Sequence, residues 1–159
     1  AERGLLSWQM RRRGAGEAAD AAAAGVRRSI AKEGPRIFET FPCGRGRGYL
    51  ACCGRVHGGA PADDAEALMR ARYAAFVRGD AAFLRRSWAP ETRPETVALD
   101  PERAWTGLTV EAHEITGPDA AVVRFVARWR RGRRKGRVAE TSRFRREGAD
   151  WLYVDGERA

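Results

Sequence analysis

A chain of 159 residues with 43% hydrophobic side chains has room for one packed domain and an appendage, and is too apolar to be wholly disordered. Its net charge of +9 and pI near 10.6 invite a nucleic-acid reading, but lysine occurs only at Lys32 and Lys135, so the basicity is arginine, abundant beside alanine and glycine as in a GC-rich genome. No apolar run approaches the roughly 18 residues of a membrane span, and an odd set of three cysteines excludes a closed disulfide framework, which points to a reducing, cytoplasmic compartment.

Residues 1–40 read as a low-complexity, flexible extension. Arg11-Arg12-Arg13 precedes Gly-Ala-Gly, an alanine run comes next, and the apolar residues Trp8, Ile30 and Ile37 are scattered. A short helix around Glu17–Arg28 is the one element expected there. Glu17 and Asp20 interrupt any secretory signal.

All three cysteines fall in Cys43-Gly-Arg-Gly-Arg-Gly-Tyr-Leu-Ala-Cys52-Cys53-Gly54. A bridge between adjacent Cys52 and Cys53 would be strained, because neighbouring Cα atoms are fixed about 3.8 Å apart. Thiolates free of disulfides are metal ligands, and a closed structural zinc site takes four. Cys43, Cys52 and Cys53 supply three. The residues leave three outcomes: His57 completes the set, water completes it, or the site holds no metal. Arg45 and Arg47 among glycines have the composition of a phosphate cradle, but no Lys-Ser/Thr succeeds them and no strand-then-helix context supports a P-loop.

Beyond a Gly58-Gly59…Pro61 loop, Asp63 or Asp64 is placed to cap a helix over Ala65–Arg78. Leu68, Met69, Tyr73, Phe76 and Val77 recur at helical spacing, with Glu66 and Arg70 paired on the other side. Gly79-Asp80 ends that helix and opens a second, Ala81–Ser87, stopped by Trp88-Ala-Pro90. From Arg93 the period becomes two. Val97 and Leu99 predict a short strand; Trp105–Ile115, Ala120–Arg130, Val138–Arg146 and Trp151–Val154 predict four more, with Arg131–Gly136 as a glycine-bounded turn. Helices succeeded by an antiparallel meander give an α+β fold, two helices packed on a curved, cone-like sheet with a pocket, preceded by a small Cys-rich knuckle.

The loop resembles the SEC-C motif, which runs Cys-Pro-Cys-Gly-Ser-Gly-Lys and ends in Cys-Cys or Cys-His. Pro42-Cys43-Gly44, Gly46, Tyr49 and Cys52-Cys53-Gly54 carry the likeness; Phe41 replaces the first cysteine and Arg45 the serine. From Gly54 onward the chain resembles the YchJ-like bacterial proteins. Gly54-Arg55, His57, Ala65–Arg70 with Arg72-Tyr73, Trp88, Arg93-Pro94, Trp105-x-Gly107-Leu108, Val126-Ala127-Arg128, Ser142-Arg143-Phe144 and Trp151-x-Tyr153-Val154-Asp155-Gly156 agree in order. The resemblance covers about residues 41–157. It implies a degenerate SEC-C knuckle over 41–60, possible zinc ligation with one expected cysteine missing, and a nuclear-transport-factor-two-like cone over 61–159.

Two functions are open to such a chain. The first is a binding or adaptor protein, with the knuckle contacting protein or nucleic acid and the Arg130–Arg137 turn, which holds six positive charges with Trp129 beside it, offered to a phosphate backbone. The alternative is a small-molecule-binding or isomerase/hydrolase-like enzyme using the cone, with Tyr73, Trp88, His113 and Asp155 as pocket candidates. The plain alternatives are a solvated turn and core aromatics. A pocket with paired polar groups would favour the enzyme; an aromatic-filled cone would favour the adaptor.

Overall fold

The computed structural model describes residues 43–46, 49 and 52–159. The expectations for residues 1–40 and for Phe41 lie outside the described residues. Three helices, α1 (Cys53–His57), α2 (Ala65–Arg78) and α3 (Ala81–Arg86), precede four strands, β1 (Ala104–Gly117), β2 (Ala120–Arg131), β3 (Arg134–Glu147) and β4 (Asp150–Arg158). The strands pair in chain order as one antiparallel sheet. The fold is α+β, as the period change predicts.

The helix limits arise from local chemistry. Asp64 caps α2 by accepting the Ala67 N–H at 2.7 Å, and Gly79 ends it in the left-handed conformation at φ 72°. Asp80 caps α3 by accepting the Phe83 N–H. On α2, the alanines Ala71, Ala74 and Ala75 are completely buried, so the helix lies close on the sheet beside Leu68, Met69 and Tyr73. The other side of the core is the inner sheet face: Leu108, Val123, Phe125, Ala127, Phe144 and Tyr153. Bulges in β1, near Thr106, Glu111 and Thr116, and opposite Arg143 in β4 curve the sheet around these helices. Backbone bonds between Ser87, Ala89 and Tyr153 fasten the end of α3 to β4.

Three sequence expectations are corrected. Val97 and Leu99 form no strand: Val97 is buried and Leu99 half-buried, but their backbone joins no ladder between Pro94 and Pro101. The Arg131–Gly136 turn shrinks to Gly132-Arg133, because β2 continues to Arg131 and β3 already begins at Arg134. Gly136 sits inside β3 under the Trp129 ring, where an added Cβ would meet Cζ2 at 2.5 Å. The strands β3 and β4 also run past the limits set by Val138–Arg146 and Trp151–Val154.

Candidate functional site

The knuckle is seated on α2. Arg45 donates to Glu66 at 2.8 Å, and Glu66 also pairs with Arg70 at 3.6 Å one helical turn on. Arg70 in turn donates to the Cys43 carbonyl. The helix face that reads as a solvated Glu–Arg pair is therefore the seat of the cysteine loop. Gly44, at φ 81°, is held in the left-handed region with Arg70 Nη1 3.2 Å from where a Cβ would stand. A side chain at Gly54 would meet the Tyr49 carbonyl at 2.8 Å and its ring at 2.9 Å, so glycine there lets Tyr49 close over α1.

This seat converges the three sulfurs. Cys43 Sγ lies 3.8 Å from Cys52 Sγ, and Cys53 Sγ lies 4.0 Å from Cys52 Sγ. All three sulfurs lie within 4.8 Å of one another. Thiolates about 2.3 Å from one tetrahedral ion stand about 3.8 Å apart, so the donor set fits a shared soft cation. A hydrogen bond from Cys53 pulls the Cys43 thiol down to about 5, and the same bond with burial pushes the Cys53 thiol up. Arg70 and the Arg45 backbone also stand beside Cys43 and favour its thiolate.

His57 does not complete the set. Its Nε2 donates to the Ala71 carbonyl at 2.7 Å, and its Nδ1 accepts from the Tyr49 hydroxyl at 2.8 Å. A carbonyl only accepts, so this is the neutral Nε2–H tautomer with both nitrogens engaged. Burial depresses its pKa in keeping with that state. The ring also packs on Phe83, at 4.4 Å between centroids, and so clasps α1 to α2 and α3.

The cone interior is aromatic. Tyr73 and Trp88 are buried, Trp88 meets Tyr153 edge-on at 5.0 Å, and Tyr153 meets Phe144 at 5.8 Å. Burial pushes Tyr73 up to about 12. His113 faces Val123 across the inner sheet surface, its Nε2 buried and without a partner among the described residues, as is Trp88 Nε1. Asp155 stands apart from these three: it pairs with Arg143 across β3 and β4. The two hollows described lie elsewhere. One of about 80 Å³ is lined on the sheet by Ala112, Glu114, Val122, Arg124 and Thr141; one of about 30 Å³ adjoins Cys52, Cys53 and Arg70.

The core also encloses two charged residues. Arg72, completely buried on α2, donates to the Leu84 carbonyl at 2.7 Å and lies over the Tyr153 and Trp88 rings. Burial lowers its pKa to about 9. Glu140, also fully buried, accepts from Ser142 at 3.0 Å and is pushed up to about 8 by desolvation. Arg72 forms no salt bridge to Glu140 within 4.0 Å among the described residues, whereas Arg70–Glu66 and Arg143–Asp155 do pair. The signal for Glu140 was its register: Val138, Glu140, Ser142 and Phe144 alternate onto one face of β3.

A family model described as YchJ, middle NTF2-like domain, matches residues 64–156. A UPF0225 protein of Xanthomonas campestris pv. campestris is 50% identical over 117 residues, spanning 72% of this chain and 91% of that protein. One from Streptomyces coelicolor is 49% identical over 117 residues, spanning 73% of this chain and 93% of its own. A SEC-C motif containing protein from Rhodopseudomonas palustris superimposes with a TM-score of 0.67 at 30% identity, over 76% of this chain and 99% of that one. Another from Psychrobacter arcticus gives 0.64 at 27%, over 75% and 82%.

Proposed function

Because the chain belongs to the YchJ-like family, we propose that it is a binding or adaptor protein whose Cys43–Cys52–Cys53 knuckle, held by zinc, docks a protein or nucleic-acid partner. The observation that carries this reading is the spacing of the sulfurs, 3.8 and 4.0 Å, in a cluster pinned to α2 by Arg45, Glu66 and Arg70. Zinc would supply structure here: it locks a short Gly-rich loop between Cys43 and Cys52. The fourth ligand position is left to water or to a side chain outside the described residues. The aromatic interior supports binding over the enzyme alternative, since neither described hollow opens among Tyr73, Trp88 and His113. No helix among the described residues is long and apolar enough to cross a membrane. A cytoplasmic location is part of the same proposal and rests on reduced thiols serving as ligands.

The test is metal analysis of the purified chain alongside thiol titration. About one equivalent of zinc with protected thiols is expected, and Cys52→Ser should lose it. Phe41→Cys should tighten retention against a chelator, by adding the ligand the SEC-C pattern places there. Zinc well below one equivalent with three freely reactive thiols would sink the proposal.

A further inference from the structure

The strand register sorts the arginines of the β2–β3 hairpin onto one surface. Val123, Phe125 and Ala127 point into the core, so Arg124, Arg128 and Arg130 point out. Across the ladder Arg128 stands opposite Arg137, and Arg130 opposite Lys135. All four are exposed or partly exposed. Neighbours on one face of a strand stand about 7 Å apart and opposed residues about 5 Å, so the four form a tight cationic square. Arg133 extends it at the turn, where it is also exposed.

Acids balance the rest of this sheet face. Glu111 pairs with Arg124 at 3.9 Å, and Asp155 with Arg143. None of Arg128, Arg130, Arg133, Arg134, Lys135 and Arg137 has an acidic partner among the described residues; Arg128 donates only to the Thr109 hydroxyl. Like charges directly opposed in a ladder cost stability, and mixed-sign surfaces avoid them. An outside anion would relieve the repulsion in such a square.

The shape of the face selects that anion. Proteins that grip single strands combine a basic track with aromatic stacking platforms. The uncharged residues set among these cations include Thr109, Val126, Ala139 and Thr141, none of them aromatic. Trp129, next to the turn in sequence, lies on the opposite side of the strand over Gly136, under the Arg103 guanidinium at 4.7 Å. With charge and no stacking surface, the face suits a regular array of backbone phosphates and offers nothing that reads bases. We propose that the outer face of the β2–β3 hairpin binds the phosphate backbone of a nucleic-acid duplex without regard to sequence. It goes beyond the knuckle reading and uses none of the knuckle's residues.

The experiment measures binding of the full chain to a short duplex by fluorescence anisotropy, from about 50 to about 200 mM salt. The wild type is expected to bind with a steep salt dependence. In the triple variant Arg130→Gln/Lys135→Gln/Arg137→Gln the slope of log affinity against log salt should become shallower by about 2 to 3, close to one unit per cation removed. Low-salt affinity should fall at least tenfold. Arg85→Gln, an exposed arginine of α3, should leave both values unchanged. A slope unchanged in the triple variant overturns the proposal. So does absence of wild-type binding at the lowest salt, or a preference for single strands or polyglutamate over the duplex. Zinc content plays no part in this readout, so the two proposals stand or fall separately.

Discussion

His57 lies four residues past a cysteine pair, where sequence alone offers it as a ligand, yet Tyr49 and Ala71 occupy both its nitrogens. Ligand spacing is visible in a sequence; the competing hydrogen bonds that claim a side chain are not. Glu140 shows the same limit from the inside, since its burial depends on Gly156 of the next strand, whose missing Cβ leaves room for the carboxyl. Its titration gives a test. The folded pKa of about 8 lies above the ordinary 4.5, so between these values the unfolded chain has released a proton that the folded chain keeps. Stability contributed by the protonated carboxyl is complete below about 4.5 and is lost as pH rises toward 8. His57, depressed by burial, runs the other way: stability falls only as pH drops below 6.5. Between pH 6.5 and 8 the wild type should therefore lose ~1 kcal/mol or more of stability relative to Glu140→Gln, read as a widening gap between their urea midpoints, while the acid limb is shared. A gap that does not change with pH would show that Glu140 is ionised in the fold.

At the scale of elements, legibility tracked how local the determinants are. The limits of α2 were readable because Asp64 and Gly79 fix them within a turn. The inner face of β2 was readable because burial alternates without a break from Ala121 to Ala127. The Val97–Leu99 expectation failed because alternating burial says which side chains are covered, not whether the backbone has a ladder partner. The short helix α1 gave no signal: its five residues hold no apolar repeat, and it depends on Tyr49 fitting over Gly54. The three cysteines were legible as a group because they lie within one loop, but their seat on Glu66 and Arg70 was not. The hairpin turn was read too wide, because Gly132 alone supplies the positive φ it needs. That tight turn is what fixes Arg128 opposite Arg137. Arg137→Glu should replace a like-charge pair with an attractive one and stabilise the protein by roughly 0.5–1 kcal/mol at low salt. Thermal denaturation checks this, and the gain should shrink as salt rises. A loss of stability would mean that the opposed cations are not in contact.

The whole molecule links the knuckle to the cone through a shared core. Cys43, Cys53 and Val56 are buried in the same cluster as Leu68, Met69 and Phe83. His57 ties α1 to the backbone of α2 and the ring of Phe83, and Gly44 lies against the Leu108 carbonyl of β1. Loosening the cysteine loop therefore exposes the first turns of α2, which themselves cover the inner sheet face. Zinc bound only by the folded chain would stabilise all of it by mass action, about 2.7 kcal/mol at a hundredfold excess over its dissociation constant. For a domain of this size that corresponds to a fall of roughly 5–10 °C in Tm when a chelator removes the ion. The form of the transition matters as much as its position. With a common core, calorimetry should show one cooperative unfolding step before and after chelation, moved to lower temperature. Amide exchange should rise at Leu68 and Met69 together with Cys53 and Val56. Two separated transitions, with only the loop amides released by the chelator, would mean that the knuckle folds independently and that the contacts through His57, Arg45 and Arg70 transmit little to the cone.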